Sequence, residues 1–140
     1  MERVERTKII LDKQYFIYST GILSIGAHST VTHNLQISAD ADFDVYEIKS
    51  NLAILNAVGN IVNITFNIVN LGTGKSFFNE HVPVQSIAST GNNQRRLKKP
   101  IEIQANSTLQ FLIKNNTVNI VSLDITLEGA KVYRAIPIKR

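Results

Sequence analysis

The stretch from Pro100 to Leu127 holds two strict alternations of apolar and polar residues, Ile101, Ile103 and Ala105 and then Val121, Leu123, Ile125 and Leu127, flanking the phrase Ala105-Asn106-Ser107-Thr108-Leu109. A period of two is that of half-buried β-strands, whose successive side chains point to opposite faces; wound as a helix, the same pattern would scatter its apolar groups around the axis. The stretch reads as strands meeting at a turn. No set of residues able to do covalent chemistry sits beside it.

The same signal recurs along the chain. Val31, His33, Leu35 and Ile37 alternate with Thr32, Asn34, Gln36 and Ser38, and Ile64, Phe66 and Ile68 alternate with Thr65, Asn67 and Val69. Tyr15 to Tyr18, the apolar positions between Gly21 and Gly26, Phe43 to Ile48 and Leu109 to Ile113 complete the strand candidates. Leu52 to Val58 is apolar without alternation and reads as loop or strand. Asp40-Ala41-Asp42, Gly72-Thr73-Gly74 and Lys114 to Thr117 supply turns, and Glu128-Gly129 reads as the close of the last strand, extendable through Lys131 to Tyr133. Val82-Pro83-Val84 reads as extended, because the residue before a proline is driven out of helical geometry. About eight to ten short strands with almost no helix predict an all-β fold: a single-domain antiparallel β-sandwich, jelly-roll-like.

At 140 residues the chain suits one domain, long enough to bury roughly two-thirds of its unfolded surface without covalent staples. Cysteine is absent, which removes disulfides, thiolate nucleophiles and cysteine-ligated zinc together. No apolar run is long enough for a membrane-spanning helix, and the mixed charges of Met1 to Arg6 read as neither a secretion signal nor an anchor. Residues 1–13 read as an N-terminal arm, 14–133 as the sandwich and 134–140 as a C-terminal tail. The net charge of +4 is uneven. Arg95, Arg96, Lys98 and Lys99 fall in a polar segment, Ser89 to Lys99, that reads as a long loop, and Arg134, Lys139 and Arg140 lie in the tail. These cations, with Val82 and Pro83, are the candidate partner contacts. Nucleic acid is a secondary partner for them, since no aromatic residue stands between the loop cations to stack a base.

Catalytic patterns fail on their spacing. Gly74-Lys75-Ser76 imitates the end of a phosphate loop, but Val69 stands where that pattern needs glycine, and Phe77-Phe78 follows where a helix should start. Asp40, Asp42 and Asp44 lack the glycine and distal glutamate of a calcium loop. His28, His33 and His81 have no zinc spacing, and His33 reads as a hydrogen-bonded core or interface histidine. No Gly-x-Ser-x-Gly elbow occurs, and Glu47, Glu80, Glu102 and Glu128 fall on different segments. Three Asn-x-Ser/Thr triplets, at Asn63, Asn106 and Asn115, are what so asparagine-rich a chain produces by chance. The expectation is a non-enzyme with no catalytic, cofactor-binding or metal-binding residues and no cofactor.

Four phrases, in this order and spacing, carry a resemblance: Asp42-Phe43 leading to Ile48; Phe66-x-Ile68 followed by Gly74-Lys75-x-Phe77-Phe78-Asn79-Glu80-x-Val82-Pro83-Val84; Pro100-x-x-Ile103-x-Ala105-Asn106-Ser107-Thr108-Leu109; and Leu127-x-Gly129-x-Lys131-x-Tyr133. Together they resemble small β-sandwich virion structural proteins of tailed bacteriophages, the short-tailed crAss-like group among them. The similarity covers Asp40 to Tyr133, about two-thirds of the chain. The resemblance implies an oligomeric subunit of the capsid or of the portal and neck region, made in the host bacterial cytoplasm and carried in the virion, whose partners are copies of itself and other virion proteins, with no membrane. The basic segment Arg95 to Lys99 is not part of the family pattern. A carbohydrate-binding or adhesin-like sandwich is the alternative, with Tyr15, Tyr18, Phe77 and Phe78 as the aromatics that could stack on sugars.

Overall fold

The computed structural model describes residues 9–51, 53–54, 63–88 and 95–135. Along the chain run β1 (Ile9–Ser19), β2 (Leu23–Ile25), β3 (Thr30–Gln36), β4 (Asp42–Ser50), β5 (Ala53–Ile54), β6 (Ile64–Asn70), β7 (Val82–Pro83), one helical turn α1 (Val84–Ile87), β8 (Arg96–Ile103), β9 (Thr108–Asn115), β10 (Val121–Leu123) and β11 (Ile125–Ala135). Every pairing between them is antiparallel.

Pairings nest. β6 pairs with β7, β4 with β8, β3 with β9 and β1 with β11, so the described chain is one long hairpin whose innermost turn lies at Gly72 to Gly74. Further pairing of β11 with β4 and of β9 with β6 wraps that hairpin into two four-stranded sheets, β1-β11-β4-β8 and β3-β9-β6-β7. That strand order is the jelly roll, the all-β sandwich predicted from the alternation. The short β2-β10-β5 sheet carries the connections around one end, from one layer to the other.

The two sheets share one core. Phe43, Val45, Ile48, Ile103 and Leu127 from the first meet Ile64, Phe66, Ile68, Leu109, Phe111 and Ile113 from the second, all essentially solvent-free. Each such side chain contributes about 1.5–3 kcal/mol of transfer free energy, which is how a chain without cysteine holds a sandwich together. His33 is half-buried on the inner side of β3, in register with Phe111.

Local chemistry sets the corners. Asn106 has a positive φ of 62°, a conformation that asparagine tolerates better than most residues. Ser107 donates to the Gln104 carbonyl at 2.7 Å, and Thr108, opening β9, donates to Gln36 Oε1 at 2.7 Å. At the opposite end Asn115 is completely enclosed. Its amide nitrogen donates to the carbonyls of Ile25, Gly26 and Asn119 at 3.2, 3.0 and 2.8 Å. Its side-chain oxygen accepts from the Thr117 amide at 2.9 Å and the Thr117 hydroxyl at 2.7 Å. The Asn115 triplet is thus a structural clasp between β2, β9 and β10 and not an accessible glycan acceptor.

Several sequence readings shift. Residues 9–13 and 134–135 belong to β1 and β11, so the sheet takes in part of the arm and tail; residues 1–8 and 136–140 lie outside the described residues. Within Leu52 to Val58, Ala53–Ile54 form a strand and the other positions lie outside the described residues. Glu128-Gly129 does not close a strand but sits in the middle of β11. A Cβ on Gly129 would lie 1.8 Å from the Asp44 carbonyl oxygen, so this glycine answers to close strand approach and not to a turn. Arg96, Lys98 and Lys99 are on a strand instead of in a loop, because β8 starts at Arg96.

Candidate functional site

The candidate contacts divide among three places. β7 and β8 are outer strands of different sheets, and a hydrogen bond joins the residue before β8 to the helical turn that follows β7. Val82 is half-buried and Pro83 exposed in β7, where the missing proline N–H costs no sheet bond on the outer edge. Arg95 Nη1 donates to the Ser86 carbonyl in α1 at 3.0 Å, tying the two edges together. Arg96 stands over the ring of Tyr46, 5.7 Å from its centroid. Lys98 and Lys99 are exposed where β8 departs from regular pairing: Val45 pairs with Ile101 but Glu47 with Arg96, so Leu97 to Pro100 swell out from the edge. Lysines, proline and a bulge are the devices by which sheet edges resist pairing with another chain. Arg134 is apart from these strands, opposite Ile10 in β11, and Lys139 and Arg140 lie outside the described residues.

The three aspartates take separate tasks. Asp40 pairs with Lys131 Nζ at 3.2 Å, and Asp42 accepts from the Ala105 amide at 2.9 Å. Asp44 lies buried opposite Glu102 in the ladder. Among the described residues no three His, Asp or Glu side chains converge as a metal-binding group. Lys131 is 8% exposed and its ammonium also lies 4.2 Å from the Phe16 ring centroid. Burial works to lower the Lys131 pKa, but the hydrogen bond that Lys131 donates to Asp40 and the charge of that carboxylate prevail and raise it; the same bond lowers that of Asp40.

Of the four aromatics suggested for sugar stacking, Tyr15 alone is exposed, Phe77 and Phe78 being half-buried and Tyr18 buried. Tyr18 is buried against Phe43, edge to face at 4.8 Å, and its hydroxyl accepts from the Ser38 amide. Phe77 and Phe78 pack against the core, Phe78 edge to face with Phe66. Tyr15, 62% exposed, points the other way because odd positions of β1 face outward.

Around Tyr15 the outer face of the first sheet holds a shallow groove of about 450 Å³, lined by Lys13, Tyr15, Tyr46, Glu47, Arg96, Glu128, Gly129 and Ala130. A bulge forms it. Val45 pairs with Gly129 and Glu47 with Glu128, leaving Tyr46 as the extra residue on β4. This insertion also moves Glu47 to the outer face beside Glu128, where two like charges across a ladder would destabilise the sheet. Lys49 relieves them, with Nζ 2.6 Å from Glu128 and 3.6 Å from Glu47. The Lys49 hydrogen bond lowers the Glu128 pKa against the opposing effect of burial, and in return Glu128 raises that of Lys49. Burial and then its hydrogen bond to Glu128 raise the Tyr15 pKa.

Sequence reasoning missed this groove, although its signals were present: parity breaks at Tyr46-Glu47, and a glycine stands inside an alternating run. Both were legible as a bulge only once the partner strand was known. No protein-family model and no curated protein matches the chain.

Proposed function

We propose that this chain is a non-enzymatic structural protein of a tailed-bacteriophage virion, an oligomeric jelly-roll subunit of the capsid or of the portal and neck region. The observation that carries the reading is where the four family-like phrases fall in the nested hairpin. They occupy β4, the β6–β7 hairpin, the β8–β9 corner and β11. Three of these strands, β11, β4 and β8, are consecutive in one sheet, so the phrases describe one connected piece of the sandwich and not scattered surface. A double-sheet jelly roll is an architecture that capsid proteins use, because its rigid body leaves end loops and faces to meet neighbours.

The edges qualify how such subunits would meet. β7 is two residues long with Pro83, and β8 carries Lys98, Lys99 and Pro100. Subunits then associate through faces and loop ends, with the exposed Ile22, Val118 and Ile120 at the end that carries β2 and β10 as apolar contacts. The test is mass analysis of the purified chain by light scattering, together with mass spectrometry of purified virions. A defined oligomer present in particles supports the proposal. A chain that stays monomeric at all concentrations and is absent from particles refutes it.

A further inference from the structure

We propose that the groove on the outer face of β1-β11-β4-β8 binds a neutral saccharide, with Glu47 accepting a hydrogen bond from a sugar hydroxyl and Tyr15 offering its ring to the apolar face of the pyranose. This goes beyond a structural role and holds whether or not the chain assembles. Glu47 lines the groove yet is only 7% exposed, and its Oε2 is shielded and accepts no hydrogen bond among the described residues. Its nearest ion-pair partner, Lys49 Nζ, stands at 3.6 Å because that ammonium is held at 2.6 Å by Glu128. A shielded carboxylate oxygen without a donor is costly, and a turn of the Glu47 carboxylate toward the groove opening lets a ligand O–H recover that cost.

The surroundings select the kind of ligand. Glu47 and Glu128 line the groove together with the cations Lys13 and Arg96, and Lys49 beside it pairs with both carboxylates. An anionic ligand would meet the two carboxylates and a cationic one the three cations, whereas a polyhydroxylated neutral ligand can donate to Glu47 and accept from Lys13 or Arg96 without unbalancing the charge. Tyr15 supplies an exposed aromatic face, an amphipathic surface suited to a ligand with one apolar side and one wet side. Gly129 and Ala130 keep the floor low, so a ring can approach the sheet. The volume, about 450 Å³, lies within the range of small-ligand sites.

The experiment is saturation-transfer NMR on the full chain with the methyl glycosides of glucose, galactose, mannose and N-acetylglucosamine as probes, a measurement that works on monomer and assembly alike. At least one glycoside is expected to receive saturation, with a dissociation constant on the order of 1 mM. Tyr15→Ala and Glu47→Gln should each weaken it about tenfold, as expected for losing a stacking face or a charged acceptor. Ile17→Ala, on the same strand but outside the groove, should leave it unchanged. Tyr15 is exposed, so its truncation tests the site without threatening the fold. Four results overturn the proposal: no transfer to any of the glycosides, binding unaltered in Tyr15→Ala and Glu47→Gln, equal weakening by Ile17→Ala, or displacement of the glycoside by argininamide at an equal concentration. An assembly failure would appear in the mass measurement alone, so the two proposals fail separately.

Discussion

Replacing Asn115 should cost this protein more than any other single polar change to a described side chain. Five hydrogen bonds converge on its side chain, three to carbonyls of separate segments and two from Thr117. The amide has two protons to share among the three carbonyls, so at a net worth of about 1 kcal/mol per bond the side chain is worth about 4 kcal/mol, and rehydration of the loop carbonyls in a truncated variant brings the expected loss for Asn115→Ala to about 3 kcal/mol. In a domain of this size that lowers the melting temperature by roughly 10–15 °C. Asn115→Asp is the sharper test. It keeps the shape but turns an N–H₂ donor into a carboxylate oxygen facing three carbonyls, so it should be worse than alanine at neutral pH. The introduced carboxyl would have its folded pKa raised. Stability should therefore recover as pH falls through that raised value, because protonation restores one donor. Urea unfolding followed by far-ultraviolet circular dichroism at several pH values measures both effects. The reasoning fails if Asn115→Ala loses under 1 kcal/mol, or if Asn115→Asp matches alanine and shows no acid recovery.

Two further predictions concern the first sheet. Gly129→Ala places a Cβ 1.8 Å from the Asp44 carbonyl oxygen and 2.9 Å from its carbon, both backbone atoms of the adjacent strand. β4 would have to move away along its bulge, a change expected to cost about 3 kcal/mol or more; a melting temperature within a few degrees of the unaltered chain would contradict the bulge geometry. The pH dependence has two limbs. Asp40 and Glu128 have lowered folded pKa values, so their contribution is present above the unperturbed 3.8 and 4.5 and is lost as pH falls through the folded values. Lys49, Lys131 and Tyr15 have raised values, so theirs is present below the unperturbed 10.5, 10.5 and 10.0 and is lost as pH rises through the folded ones. Melting curves should form a plateau between these limbs, and Lys49→Met should reduce the fall on both sides; a variant with both limbs unchanged would refute the assignment.

The alternation of Val31 to Ile37, Ile64 to Ile68 and Ile101 to Leu127 determined by itself that the chain is all-β, because a period of two leaves one side of each strand apolar and sheets must cover such sides by packing together. The turn at Gly72 to Gly74, the corner at Asn106 and the extended Val82-Pro83 were equally local, being set by which backbone angles glycine, asparagine and proline accept. Only the tertiary structure decided what depends on a partner strand: that Arg96, Lys98 and Lys99 guard an edge, that Gly129 yields to a neighbour's carbonyl, and that Asn115 is a clasp. It alone turned Tyr18, Phe77 and Phe78 inward and left Tyr15 beside Glu47. The reason is physical. Local periodicity reports which face of a strand is apolar, whereas register across a long nested hairpin, and the one-residue bulge at Tyr46 that reverses parity, arise from residues more than fifty positions apart.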